Sequence, residues 1–223
     1  MIKAADFIIT MLLVLAILAG LSTLFQDNSN VCYTNLPTVP NEVTTTEDII
    51  INIEPSTESE LDYYPQVPLS AALKKHIVLE CDKYQIPPII IFAMIWRETD
   101  YGRYRATYDS TVDRYEHLGD NGKSYGIMQI QQHYYQDEMV QLGLTDLKDN
   151  FQNVTLGIFL MNRLIKQYEV QYPNHFVACA LLAYNRGTGG ANSYIKKHGL
   201  ASVKENEYVK TIFQEMSRII DFS

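Results

Sequence analysis

Apolar residues fall along this chain in three regimes. Residues 7–25 form an unbroken run, FIITMLLVLAILAGLSTLF, 19 positions without a charge. At about 1.5 Å per residue, a helix of that length reaches about 28 Å, close to the hydrocarbon thickness of a bilayer. Residues 26–67 then lose periodicity and fill with Thr, Asn, Ser, Pro and acids, the composition of a linker. Within it only DIIINI, residues 48–53, has the β-branched content of a short strand. From Pro68 to Ser223 the apolar positions recur at helical spacing.

Five helices are expected in that last part. Ser70 is placed to cap one running to about Tyr84, with Leu73, Ile77, Val78 and Cys81 on one face. Pro87 and Pro88 suit the first turn of the next, PPIIIFAMIWRET, which is apolar nearly all round, is expected to be buried, and ends at Glu98. Residues 150–168 carry Phe151, Val154, Ile158, Met161, Leu164, Ile165 and Tyr168 at amphipathic spacing. A mostly apolar helix follows over about 175–184, and a final one over about 205–220 turns Val209, Ile212, Phe213, Met216 and Ile219 inward. There is no internal repeat, and alternation is confined to room for one short hairpin between Tyr108 and Ser124. The expected fold class is therefore mainly α: a helical domain of residues 68–223, preceded by a single apolar span in residues 1–25 and a flexible linker of residues 26–67.

Charge sharpens this division. The chain carries a net charge of −8, all of it contributed by eight linker carboxylates that have no basic residue among them. The helical domain is neutral, which argues against a nucleic-acid partner, since such proteins normally carry a basic excess. Lys3 precedes the apolar run and no Lys or Arg recurs before Lys74, so the expected topology places the domain outside the cytoplasmic membrane. A cleaved signal peptide, giving a secreted protein, is the alternative; Gly20-Leu21-Ser22 is a poor cleavage site for it. As a flexible chain the linker would separate its ends by roughly 35 Å. The cysteines, Cys32, Cys81 and Cys179, are too few for a disulfide framework or a zinc site; Cys81 and Cys179 read either as a pair or as two buried thiols.

Three polar segments interrupt the helices: WRETDYG around Glu98, SYGIMQIQ at 124–131 and AYNRGTGG at 183–190. Glu98 follows the apolar stretch IIIFAMIW, so its carboxyl is expected to emerge from the core at a cleft floor, where desolvation raises its pKa. Taken alone it also reads as an ordinary helix-end acid paired with Arg97 or Arg103. In the second segment Gly126 permits close backbone approach and Gln129 offers an amide to a sugar hydroxyl or acetamido group. In the third, Tyr184 and Asn185 are expected to close a helix, with Gly187, Gly189 and Gly190 forming a tight turn.

Together and in this order, the segments resemble those of the lytic transglycosylase family with the goose-type lysozyme-like fold, over roughly residues 68–223. The resemblance implies cleavage of bacterial cell-wall glycan, with peptidoglycan strands as partner and no cofactor. It makes Glu98 the catalytic acid and then base. Thr99 stands where the family has Ser, and Ile127 where Leu is usual. Ser124 and Gln129 would line the substrate cleft. Tyr184, in Ala-Tyr-Asn, would hydrogen-bond the catalytic carboxyl, and Asn185 would contact the sugar near the scissile bond. Asn153 and Gly157 resemble the family's Asn-x-x-x-Gly, with a packing role, and Glu207-Tyr208-Val209 resembles its closing helix.

The stretch between Glu98 and Gly126 is longer than the family's usual spacing and carries Asp100, Asp109, Asp113, Glu116 and Asp120. A lytic transglycosylase needs one carboxyl, because the substrate's own groups replace water. An inverting hydrolase needs a second carboxylate roughly 6.5–9.5 Å from the first, and one of these acids could serve. A third reading is an inactive glycan-binding assembly module. An anchor with an acidic spacer suits a conjugation or secretion apparatus, wall remodelling or a phage-encoded function equally.

Overall fold

The computed structural model describes residues 64–104, 108–109 and 113–221. The apolar run, the DIIINI segment and Cys32 lie outside the described residues. Among those described, no helix is long and apolar enough to cross a membrane.

Helix α1, Ala71–Tyr84, begins where expected: the Ser70 hydroxyl accepts from the Leu73 amide at 3.1 Å, satisfying one of the unpaired first-turn donors. Leu73, Ile77 and Cys81 are buried, while Val78 is half-buried. Helix α2, Pro88–Thr99, starts on its proline and buries every residue from Ile89 to Ile95. It is the central element of the core. Asp100, in the left-handed region at φ 50°, stops it.

Two hairpins follow. β1, Tyr108–Asp109, pairs antiparallel with β2, Arg114–Tyr115, inside the span where a hairpin was expected. β3, Ser124–Tyr125, pairs with β4, Ile130–Gln131, so the SYGIMQIQ segment is itself a hairpin. A short α3, Gln136–Leu142, leads to the long α4, Asn150–Gln171, capped by Asp149, whose carboxylate accepts from the Gln152 amide at 3.0 Å.

Helix α5, Phe176–His198, breaks where a stop was expected, at Gly187 with φ 68° and ψ 160°, but the chain does not turn away there: a second helical segment continues from the kink to His198. Buried Ala191 and Ile195 beyond the kink hold the continuation against the core. A 3-10 stretch, Leu200–Glu205, then precedes α6, Glu207–Asp221, which buries Val209, Ile212, Met216 and Ile219. α4 packs on α5 and α1, and α6 packs on α2. Cys81 and Cys179 are both buried and both free, so the thiol reading holds and the pairing does not.

Candidate active site

Glu98 lies on the last turn of α2, at the junction of two cavities of about 740 and 1240 Å³ that share it and Tyr104 as lining residues. Its Oε1 accepts the Tyr208 hydroxyl at 2.6 Å, from the start of α6. Tyr208 in turn has the Arg97 guanidinium 5.5 Å from its ring centroid. Burial is the main cause that raises the Glu98 carboxyl from 4.5 to about 7. The Tyr208 hydrogen bond and the Arg97 charge pull the other way, and Asp120 adds to the rise. A carboxyl titrating there is half-protonated near neutrality, the condition for a general acid that must later act as a base. With Oε1 occupied by Tyr208, Oε2 is the oxygen left to carry the proton.

Tyr184 therefore departs from its expected place. Its hydroxyl donates to the Met128 carbonyl at 2.9 Å, not to Glu98, although both residues line the larger cavity. The Met128 amide is held from the other side by Asn153 Oδ1 at 2.8 Å. Burial keeps the hydroxyls of Tyr184 and Tyr208 well above pH 10, with the Glu98 charge adding to it, so both remain donors. Tyr208 is the residue that sequence reasoning placed in the closing helix without assigning it the carboxyl.

The hairpin wall is fixed by buried polar side chains. Asn153, fully buried on α4, also donates from Nδ2 to the carbonyls of Tyr125 and Leu147 at 3.0 and 3.1 Å. Both amide hydrogens and the amide oxygen of this side chain thus go into shaping the β3–β4 loop. A Cβ on Gly126 would overlap the Asn153 amide and the Leu147 carbonyl, and one on Gly157 would overlap the Met128 sulfur. These close approaches are the packing role expected of Asn153 and Gly157. Thr99, 2% exposed, reaches the Ile127 carbonyl at 2.9 Å and accepts the Gly102 amide at 3.1 Å, tying the acid-bearing turn to the hairpin.

Gln129 and Asn185 line the larger cavity with Glu98 and Tyr184. Gln129 is held in the left-handed region at φ 49°, with Nε2 on the Gly126 carbonyl at 2.8 Å. Ser124 does not line the cleft: it is 1% exposed and donates to Asp120 Oδ2 at 2.6 Å. It acts on the cleft through that carboxylate, which also accepts Gln131 Nε2 at 3.1 Å.

Most of the other acids in the long insert are committed elsewhere. Asp100 pairs with Arg103. Lys148 and Arg114 flank Glu116 and hold its carboxyl below the ordinary range. Asp113 is buried and accepts the Ser70 hydroxyl at 2.7 Å. Asp120 alone of the described acids in residues 100–120 faces the larger cavity with Glu98.

No curated protein matches the chain. A family model described as Transglycosylase SLT domain matches residues 77–206, more than half of its length. That span holds Glu98, the β3–β4 hairpin and the Tyr184-Asn185 pair, and it ends two residues before Tyr208. The chain belongs to the transglycosylase SLT domain family, whose activity is of the lytic transglycosylase type and directed at peptidoglycan.

Proposed function

We propose that this protein cleaves the β-1,4 bond between MurNAc and GlcNAc in peptidoglycan without water, leaving 1,6-anhydroMurNAc ends. The observation that carries the reading is Glu98: a cleft carboxyl raised to about 7 by burial, with one oxygen occupied by a tyrosine. In the first step the Glu98 proton passes to the glycosidic oxygen as the MurNAc C1–O bond breaks, and GlcNAc leaves with a 4-hydroxyl. In the second, the MurNAc 6-hydroxyl attacks C1 and its proton returns to the Glu98 carboxylate. One group thus serves both steps, as its near-neutral titration allows. Gln129 and Asn185 offer amides to sugar hydroxyl and acetamido groups.

Mass spectrometry of the fragments that the full chain releases from purified peptidoglycan tests this. Anhydro ends are expected from wild type and none from Glu98→Gln; substantial activity in that variant would sink the assignment. Asp120 supports a second reading, because a carboxylate facing the same cavity is what activation of water by an inverting hydrolase requires. Reducing ends in place of anhydro ends, lost in Asp120→Asn, would favour it.

We further propose that residues 7–25 anchor the domain to the cytoplasmic membrane from within, and that the acidic linker holds it out in the wall. The length and uniformity of the apolar run and the absence of basic residues up to Lys74 support this. Protease accessibility of the domain in spheroplasts, and its retention in membranes after alkaline extraction, are the expected results. Release by alkaline extraction would favour the secreted form.

A further inference from the structure

The larger cavity is lined by two arginines, and they are held differently. Arg163, on α4, is committed: its guanidinium bonds Glu138 Oε1 at 2.5 Å and lies 6.0 Å from the Tyr135 ring centroid. Arg186, on α5, is exposed and has no carboxylate partner among the described residues. Its guanidinium lies instead 5.3 Å from the centroid of the Tyr194 ring, two turns further along. A ring face steadies a guanidinium without using up its N–H fork, so the five donors stay open to a planar anion.

The backbone around Arg186 is shaped for this placement. Gly187 leaves helical geometry at φ 68° and ψ 160°, a conformation that ordinary side chains rarely take, so the helix breaks immediately after Asn185 and Arg186. One turn on, a Cβ on Gly190 would come within 3.0 Å of the Arg186 Cβ. The glycines at and after this break thus make room for the arginine at the cleft. Its neighbour Asn185 lines the same cavity as Glu98.

Peptidoglycan differs from neutral amino-sugar polymers in one relevant respect: MurNAc carries a lactyl group, ending in a carboxylate where the strand is bare and continuing into a carboxylate-bearing peptide where it is not. We propose that Arg186 is a specificity-determining residue that receives a substrate carboxylate beside the reacting sugars, so the site prefers anionic glycan to neutral glycan. The inference rests on the peptidoglycan reading of this cleft. Bidentate pairing of a guanidinium with a carboxylate supplies both the attraction and the orientation.

The test uses the full chain as wild type, Arg186→Gln and Arg186→Lys. Steady-state cleavage is followed on stem-bearing peptidoglycan, on peptide-free strands, and on both after carbodiimide amidation of their carboxylates. On unmodified substrates Arg186→Gln is expected to raise KM about tenfold, the low end for a charge-assisted bond at an exposed site, with kcat changed less than twofold. Arg186→Lys should recover part of the loss. On amidated substrates the three proteins should be alike, and added salt should raise KM for wild type more than for Arg186→Gln. A loss on peptide-free strands as well identifies the lactyl carboxylate; a loss confined to stem-bearing strands identifies the peptide. Equal losses on amidated substrates, or no loss on any, would overturn the inference while leaving the proposed reaction standing. Absence of cleavage by wild type on every substrate would instead overturn the reaction.

Discussion

The two sides of the cleft are built on opposite principles. On one, Tyr208 of α6 bonds Glu98 of α2, and Tyr184 of α5 and Asn153 of α4 hold the Met128 backbone in the β3–β4 loop, through hydrogen bonds that span 25 to 110 residues of sequence. On the other, Asp120 and Asn121 sit exposed at φ 47° and 56°, and Asp120 is held by Ser124 and Gln131, only 4 and 11 residues away. The first side sets the acidity of one group through burial and long-range contacts. The second places a charge through a local turn, at little cost to the fold. A proton donor needs surroundings that disfavour its charge; a charge that only meets the substrate needs a position.

Perturbing the two sides should separate these roles. Glu98→Gln should lower turnover by at least about a thousandfold, since general acid catalysis is lost outright. Measuring kcat/KM alongside circular dichroism distinguishes this from unfolding. Asn153→Ala, which strips partners from the Met128 amide and the Tyr125 and Leu147 carbonyls, should cost on the order of 3 kcal/mol in denaturant unfolding. Stability should also respond to pH. The unfolded Glu98 carboxyl titrates near 4.5 and the folded one near 7, so the folded state holds an extra proton between them. Stability therefore falls as pH rises through that window, by on the order of 2–3 kcal/mol once above it, and Glu98→Gln should flatten the fall.

Smaller effects should follow from the partners of Glu98. Tyr208→Phe removes a bond that lowers the carboxyl pKa, so the alkaline limb of the activity profile should move up while kcat falls about tenfold. Asp120→Asn removes a charge that raises it, so the same limb should move down, by a fraction of a pH unit. If the two variants shift the limb in the same direction, the division between the sides is wrong.

The helices were legible because their cues are local. Ser70 caps, Pro88 opens, and the apolar spacing of α4 and α6 reappears in the burial pattern, with Phe151, Leu164, Ile165 and Phe213 only half-buried at its margins. Glu98 was legible for the same reason, as an acid at the end of an apolar helix. The β3–β4 hairpin was not, because its strands are two residues long and no alternation can show over that length. The glycines after Arg186 read as a helix stop, and Gly187 does break the helix, but they hid the helical segment that resumes beyond it, since each interior glycine costs up to about 1 kcal/mol relative to alanine. The burial of Ala191 and Ile195 outweighed that cost, and their spacing of four was the available clue. The partner of Glu98 was hidden by distance: Tyr208 lies 110 residues away, and only packing of α6 on α2 brings it there. Tyr184 has the same chemistry but was turned to a backbone carbonyl by the loop beside it.

The two unpaired thiols have a consequence for the life of the protein between synthesis and deployment. Cys81 and Cys179 sit in the interior, and burial pushes the thiol of Cys179 up to about 11 and that of Cys81 higher still, so neither exists as reactive thiolate at neutral pH. Between these two positions nothing has to be oxidised for the fold to form. A domain with that chemistry reaches the same shape in a reducing compartment as in an oxidising one, without help from a disulfide-forming enzyme, and its melting curve should be indifferent to added reductant.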